Sequence, residues 1–276
     1  MIERAYTVFK SNTEALERDF ELHEAVSEGV YKQLAEHLNK IYPDVTASQA
    51  YGLFLDATDG GGGIYGFAVL CKYLNVSKPF EVDEKPEHIS AVYFRTPIAD
   101  NAYTEFTSIF KSIGATYSSD FKSVCEDVYY DRADACILPL ESSDDGLIMS
   151  FRNMLIKYEL KILSVVKVPL GDDRYQTMAL LTNGLYDADG NVCELFIPSM
   201  SPDEFSEICR SMKHFSAKIL RITSVPSKTE GRYDHHVCLS LQSEAVPCLT
   251  FFTDAVCPAN IFLGQYKNYY SERNAQ

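Results

Sequence analysis

The stretch from Phe121 to Leu170 constrains the chain most, because its apolar and polar residues fall into an ordered series of elements. The pattern predicts a helix over Ser123–Tyr130, a buried strand over Ala135–Leu138 and a polar turn over Pro139–Gly146. A second helix over Leu147–Tyr158 and a strand over Lys161–Val168 follow. Such alternation is the signature of an α/β sheet. The polar turn sits at the carboxyl end of an apolar strand and opens into a helix. Ligands bind at such corners of open α/β sheets, where the helix amino terminus presents N–H groups without partners. Glu141, Ser142 and Ser143 occupy this corner and are the first candidates for substrate contact.

The rest of the chain supplies two further regions. Upstream, residues 11–41 have helical periodicity, with Ser11 and Glu14 as a capping box and Pro43 as the stop. Residues 46–57 predict a shorter helix, Gly60–Gly63 a flexible corner and Ile64–Leu74 another apolar segment. The four glycines lack the Lys-Ser/Thr of a phosphate loop and are expected to be a plain loop. Lys78–Pro86 is a polar linker, and Ile89–Phe94 is an alternating strand. Downstream, strands are expected at Val192–Ile197, Ala217–Val225, Tyr233–Leu241 and Ile261–Tyr266, with helices at Pro202–His214 and Pro247–Val256. That order is ferredoxin-like, βαββαβ.

Bulk properties exclude several classes. At 276 residues the chain has room for about two domains of ~100–200 residues. Hydrophobic residues at 46% and charged residues at 23% are those of a globular protein, not a disordered one. A net charge of −14 argues against nucleic acid or an anionic membrane as partner, and an anionic substrate would need locally concentrated Arg or Lys. The eight cysteines contain no CxxC pair, which fits reduced thiols in a cytosolic protein. His235 and His236 are adjacent in a strand and point to opposite faces, so no metal site is expected, nor any cofactor. The amino terminus has no signal-peptide core and no apolar run approaches ~18 residues, so a soluble cytoplasmic protein is expected.

Ala133, Asp134, Pro139, Leu140, Glu141, Ser142, Ser143 and Gly146 together resemble the first-lobe core of the prephenate dehydratase family. Thr223–Lys228 and the closing Phe262–Lys267 resemble strands of the regulatory ACT domain that follows the catalytic part in that family. The resemblance implies periplasmic-binding-protein-like α/β lobe architecture, then a ferredoxin-like ACT domain, behind a mainly helical amino-terminal segment. The expected divisions are 1–86, 87–185 and 190–270. Pro97, Tyr103 and Thr104 match a family turn and helix start, although its glycines are replaced. The family's second lobe is absent between Leu170 and Asp172. Either residues 1–86 supply it from the other end of the chain, or those helices are unrelated packing elements. A chorismate mutase helix is not evident in the Glu-rich segment from Glu14 to Glu36.

By this resemblance the chain converts prephenate to phenylpyruvate, losing water and carbon dioxide. The chemistry needs a proton donor and anchors for carboxylates. The family's Thr-Arg-Phe motif fits here in two registers, Thr177-Met178-Ala179 or Asp173-Arg174-Tyr175. The resemblance thus implies Thr177 and Glu141 as catalytic residues, with Ser142, Ser143, Tyr103, Thr104, Arg95 and Arg174 as substrate contacts. The regulatory ligand site maps to Asp203, Glu204 and Phe205 with Ser224, Val225 and Pro226. Carboxylates and Val225 replace the family's Gly-Ala-Leu and Arg there, which argues against phenylalanine feedback. The expected partners are a small anionic aromatic or cyclohexadienyl acid and a second copy of the chain. The alternatives are a ligand-binding regulator without turnover, and a structural protein that keeps only the folds.

Overall fold

The computed structural model describes residues 28–58, 63–76, 87–186 and 190–267. Contacts divide the chain into two units. One comprises the amino-terminal helices with Asp203–Phe215 and Pro247–Pro258; the other comprises the two sheets.

The first sheet begins with β1 (Ile89–Phe94), α4 (Pro97–Ile109), β2 (Ile113–Ser118), α5 (Phe121–Tyr129) and β3 (Ala135–Ser142). The helices are α4 and α5 because three others, α1 (28–41), α2 (Ala47–Ala57) and α3 (Gly63–Cys71), precede them. Thr96 caps α4, with Pro97 in its first turn, and Asp120 caps α5 by accepting from the Ser123 N–H at 2.9 Å. Each helix carries the chain back over the sheet, so β1 pairs in parallel with both β2 and β3. The Asp134 carboxylate accepts from the Ser90 N–H at 2.7 Å and from its hydroxyl at 2.6 Å, pinning the entry of β3 to β1.

The short strand β4 (Gly146–Leu147), α6 (Met149–Lys157), β5 (Lys161–Gly171) and β6 (Arg174–Thr182) complete this sheet, in the order β2-β1-β3-β6-β5 with β4 beside β3. β5 and β6 form a hairpin closed by Asp172 and Asp173, both at positive φ (51° and 60°). Two such central residues give the turn whose twist matches its flanking strands, and Asp tolerates that conformation. A two-residue turn therefore stands where the resembled family carries a whole lobe.

The second sheet is antiparallel, in the order β10-β7-β9-β8, built from β7 (Val192–Met200), β8 (Lys218–Pro226), β9 (Tyr233–Ser240) and β10 (Ile261–Tyr266). With α7 (Pro202–Ser211) and α8 (Val246–Val256) between them in sequence, the order is the ferredoxin-like one of an ACT-like domain. One apolar cluster joins the two sheets: Leu138, Leu155, Val165, Ala179 and Leu181 with Val192, Phe196, Leu263 and Tyr266. A second cluster on the opposite face of β1, β3 and β6 packs against α4 through Ala99, Ala102 and Phe106. The sheets also touch through backbone: a Cβ on Gly264 would lie 2.4 Å from the Ile162 carbonyl oxygen, and its φ is +146°. Lys161 Nζ donates to the Phe262 carbonyl at 3.0 Å across the same junction.

In the other unit, Thr46 and Gln49 form a capping box on α2. An aromatic chain runs from Tyr31 to Phe54 (5.6 Å between rings), to Phe67 (5.5 Å), to Phe252 (6.3 Å) and to Phe215 (5.4 Å). The described residues before Ile89 with regular structure are helical. The expected Ser11–Glu14 capping box, the Gly60–Gly62 part of the glycine corner and the Lys78–Pro86 linker lie outside the described residues.

One local expectation is corrected. The turn expected over Pro139–Gly146 is a strand as far as Ser142, followed by a tight hairpin pairing Ser142 with Gly146 and Glu141 with Leu147. α6 begins only at Met149, and Ile148 makes no side-chain cap. Glu141, Ser142 and Ser143 are thus not at a helix amino terminus. Pro139 is buried within the strand run and the ladder slips by one residue beside it, which lets the strand continue.

Candidate functional site

Two bulges build the site. On β3, Pro139 pairs with Met178 and Glu141 with Thr177, so two steps on β3 oppose one on β6. On β8, Ile219 pairs with Leu239 and Arg221 with Cys238, the same two-against-one slip. A bulge turns consecutive side chains towards one side. Leu140 with Glu141, and Leu220 with Arg221, accordingly line one cavity of about 290 Å³ between the sheets.

The register supplies the remaining walls. Across the first sheet, Glu141, Thr177 and Lys167 form one row of paired positions over β3, β6 and β5. Across the second, Arg221, Cys238 and Glu194 form another over β8, β9 and β7. All six line the cavity, with Arg152 from α6, Tyr266 from β10 and the apolar Leu140, Val165, Val192 and Leu220.

The charges are arranged in two layers. The deep layer is Arg152, 1% exposed, ion-paired to Glu194, 4% exposed. The Tyr266 hydroxyl donates to the same carboxylate. Burial pushes the Glu194 pKa up, but Arg152, the Tyr266 hydroxyl and Arg221 outweigh it and hold the carboxyl below its usual range. The outer layer is Arg221, ion-paired to Glu141 and 4.0 Å from Glu194. Burial pulls the Arg221 pKa down, while Glu194 and Glu141 override it and raise it. Nearby, burial pushes the Cys238 thiol up to about 12, so it is no nucleophile at neutral pH. Three cationic and two anionic side chains line a cavity in a chain of net charge −14. The local balance reverses the global one, as a site for an organic anion requires.

Of the residues singled out from sequence, Glu141 and Thr177 meet at this cavity. Ser142 and Ser143 instead shape the hairpin. The Ser142 hydroxyl accepts from the Asp144 N–H at 3.2 Å, and the Ser143 hydroxyl accepts from the Tyr175 N–H at 3.2 Å. Arg174 stands at the end of the β5–β6 hairpin, half exposed and 3.9 Å from both Asp144 and Asp172, and does not line the cavity. Met178 faces away from Thr177 into the apolar cluster beneath α4. Arg95, just after the carboxyl end of β1, and Tyr103 and Thr104, in the middle of α4, do not line the cavity either. Arg95 pairs with Asp100 at 3.3 Å and lies over the Tyr117 ring at 4.9 Å. Tyr103 donates to the Ile113 carbonyl and Thr104 to the Asp100 carbonyl.

The expected regulatory positions fall in both units. Asp203 is exposed, Glu204 half-buried and Phe205 buried on α7. On β8, Ser224 shares a 2.8 Å hydrogen bond with His235 Nδ1, while Val225 is half-buried and Pro226 exposed. Sequence reasoning missed Arg152, Lys167, Glu194, Arg221 and Tyr266. A charged residue inside the apolar run Val192–Ile197 was a legible sign that Glu194 needs a buried partner. Nothing local named Arg152, 42 positions away, as that partner.

No family model and no curated protein matches the sequence. Solved structures do match. A prephenate dehydratase from Streptococcus mutans aligns over 64% of this chain and 97% of its own, with 14% identity and a TM-score of 0.53. One from Arthrobacter aurescens in complex with L-Phe aligns over 67% and 92%, with 14% identity and a TM-score of 0.54. GqqA, described as a novel type of quorum-quenching acylase, aligns over 67% and 97%, with 13% identity and a TM-score of 0.51. The chain has the prephenate dehydratase fold, a mixed α/β lobe followed by an ACT-like sheet, at low sequence identity.

Proposed function

We propose that this chain is a prephenate dehydratase-like lyase that takes its substrate in the cavity between the two sheets. The single observation that carries the proposal is the register pairing of Glu141 with Thr177 at a wall of that cavity. These two residues were picked out separately by resemblance to two different motifs of one family. The fold alone does not choose the chemistry, since an acylase is among the proteins that share it.

In the proposed reaction the ring carboxylate leaves as carbon dioxide, and its bonding electrons enter the ring. The ring hydroxyl departs as water after taking a proton from the Thr177 hydroxyl, which solvent restores. Aromatisation supplies the driving force, so the protein has only to orient the acid and deliver that proton. Cationic side chains at the cavity support binding of the remaining carboxylate. The test is turnover of prephenate by purified protein, followed as phenylpyruvate absorbance with the acid-catalysed background subtracted. Saturable turnover is expected. None from demonstrably folded protein would defeat the lyase assignment.

One observation favours a second reading, a ligand-binding regulator of aromatic metabolism without turnover. Met178, which stands for the family's arginine in one register, is packed into the apolar core, and Arg174, the arginine of the other, is at a solvent-exposed turn. Neither brings a guanidinium to Thr177. The proposal includes a cytoplasmic homodimer; exposed Ile222 on edge strand β8 supports self-association. Light scattering of the purified chain tests that part.

A further inference from the structure

We propose that Arg221, contributed by the ACT-like sheet, is the carboxylate anchor of the cavity, and that Glu141 occupies it as a built-in competitor until ligand arrives. This rests on the reading of the cavity as the ligand site. It adds a role for the sheet that the resembled family uses for regulation, and it makes ligand entry an exchange of one carboxylate for another.

Exposure decides which ion pair can open. Arg152 and Glu194 are sealed, with side chains 2% and 5% exposed, and breaking them would leave an uncompensated charge away from water. Arg221 and Glu141 are 33% and 21% exposed at the cavity wall. Glu141 can swing to water at low desolvation cost, because its side chain is already 21% exposed at a bulge next to the short β3–β4 hairpin. Arg221 cannot lose its orientation so readily, because Glu194 lies 4.0 Å from its second terminal nitrogen. Glu194 is itself fixed by Arg152 and the Tyr266 hydroxyl. The guanidinium fork therefore stays aimed at the cavity, and a ligand carboxylate can replace that of Glu141 without leaving Arg221 uncompensated.

The exchange has a specific consequence. Glu141 opposes binding, so removing its charge while keeping its shape strengthens the complex. The ligand class follows: a carboxylate whose remainder fits about 290 Å³ and meets Leu140, Val165 and Leu220. A neutral or cationic compound has no claim on Arg221.

The experiment is calorimetric titration of phenylpyruvate into the full chain, as wild type, Glu141→Gln, Arg221→Met and the double variant. Glu141→Gln is expected to bind about tenfold more tightly, and Arg221→Met about tenfold or more weakly, since a charged hydrogen bond contributes on that scale. In the Arg221→Met background, Glu141→Gln should bring no further gain. If Arg221→Met does not fold, Arg221→Lys replaces it, and weakened binding is again expected. Glu141→Gln binding like wild type would overturn the inference. Leu220→Trp gives the chain its one tryptophan, at the cavity wall, and reports location. Emission that changes on titration while Glu141→Gln has no effect would keep the cavity as the site and reject the exchange. Calorimetric binding with unchanged emission would reject the cavity, and no binding to any variant would reject both.

Discussion

Glu141 on β3 and Thr177 on β6 are register partners, and both line the cavity beneath the ACT-like sheet. Thr177 is 7% exposed and lines the cavity together with Glu141, Lys167 and Arg221, which suits a proton donor to a bound substrate. Thr177→Val keeps the shape and removes the proton. Prephenate turnover by this variant should fall roughly 10²-fold or more, with folding intact by circular dichroism. Unchanged kcat would take the proton-donor role away from Thr177.

Arg152 and Glu194 form the deepest charged pair of the site. Arg152→Met should destabilise the protein by about 3–5 kcal/mol, because Glu194 then keeps its charge in a buried place without its ion-pair partner. Replacing both residues by apolar ones should recover most of the loss. Urea denaturation of the two variants measures the difference, and a single variant as stable as wild type would contradict the account.

Acid should weaken the fold in two stages. Burial, aided by Arg152, depresses the His236 pKa to about 4, so the unfolded chain takes up a proton there first. Stability conferred by neutral His236 is present above about pH 6.5 and is lost as pH falls towards 4. Glu194, held below its usual range, contributes stability above about pH 4.3 that is lost as pH falls through its depressed value. Denaturation midpoints measured from pH 7 to 3 should decline throughout. Glu194→Gln should flatten only the lower part of that curve; a flattened upper part instead would show the assignment to be wrong.

Gly264 lies where β10 crosses β5, at a φ of +146° that side chains rarely adopt. In Gly264→Ala the new methyl would meet the Ile162 carbonyl oxygen at 2.4 Å. We expect a loss of at least about 2 kcal/mol from strain and overpacking together. Thermal unfolding provides the check, and a neutral substitution would mean the strand crossing can shift.

Restoring the arginine of the family motif should fail. Met178 is 3% exposed among Ile137, Val166 and Leu180, so Met178→Arg buries a cation with no carboxylate beside it. Its soluble yield should collapse, whereas the exposed Arg174→Ala should change stability by less than about 1 kcal/mol. A folded, active Met178→Arg would show that this strand can present an arginine to the cavity.

Much of the fold was legible because it depends on short-range pattern. The expected spans of β1 and β10 match to the residue, and the six elements of the ACT-like segment appeared in their observed order. The candidate site was legible only in part. Glu141 and Thr177 carried family-like motifs, but Ser142 and Ser143 proved to be hairpin residues, and Arg95, Tyr103, Thr104 and Arg174 stand away from the cavity.

What the sequence by itself determined was the set of elements, since strand and helix follow from the spacing of apolar residues and from caps such as Thr96 and Asp120. The tertiary structure alone decided which charges meet. Arg221 and Glu141 are 80 positions apart, and Arg152 and Glu194 are 42 apart. Two one-residue bulges place Glu141 and Arg221 on the same cavity, and a bulge depends on how two strands lock together. The physical reason is that ion pairing is set by position in three dimensions and by removal from water, neither of which a neighbouring residue in the chain records.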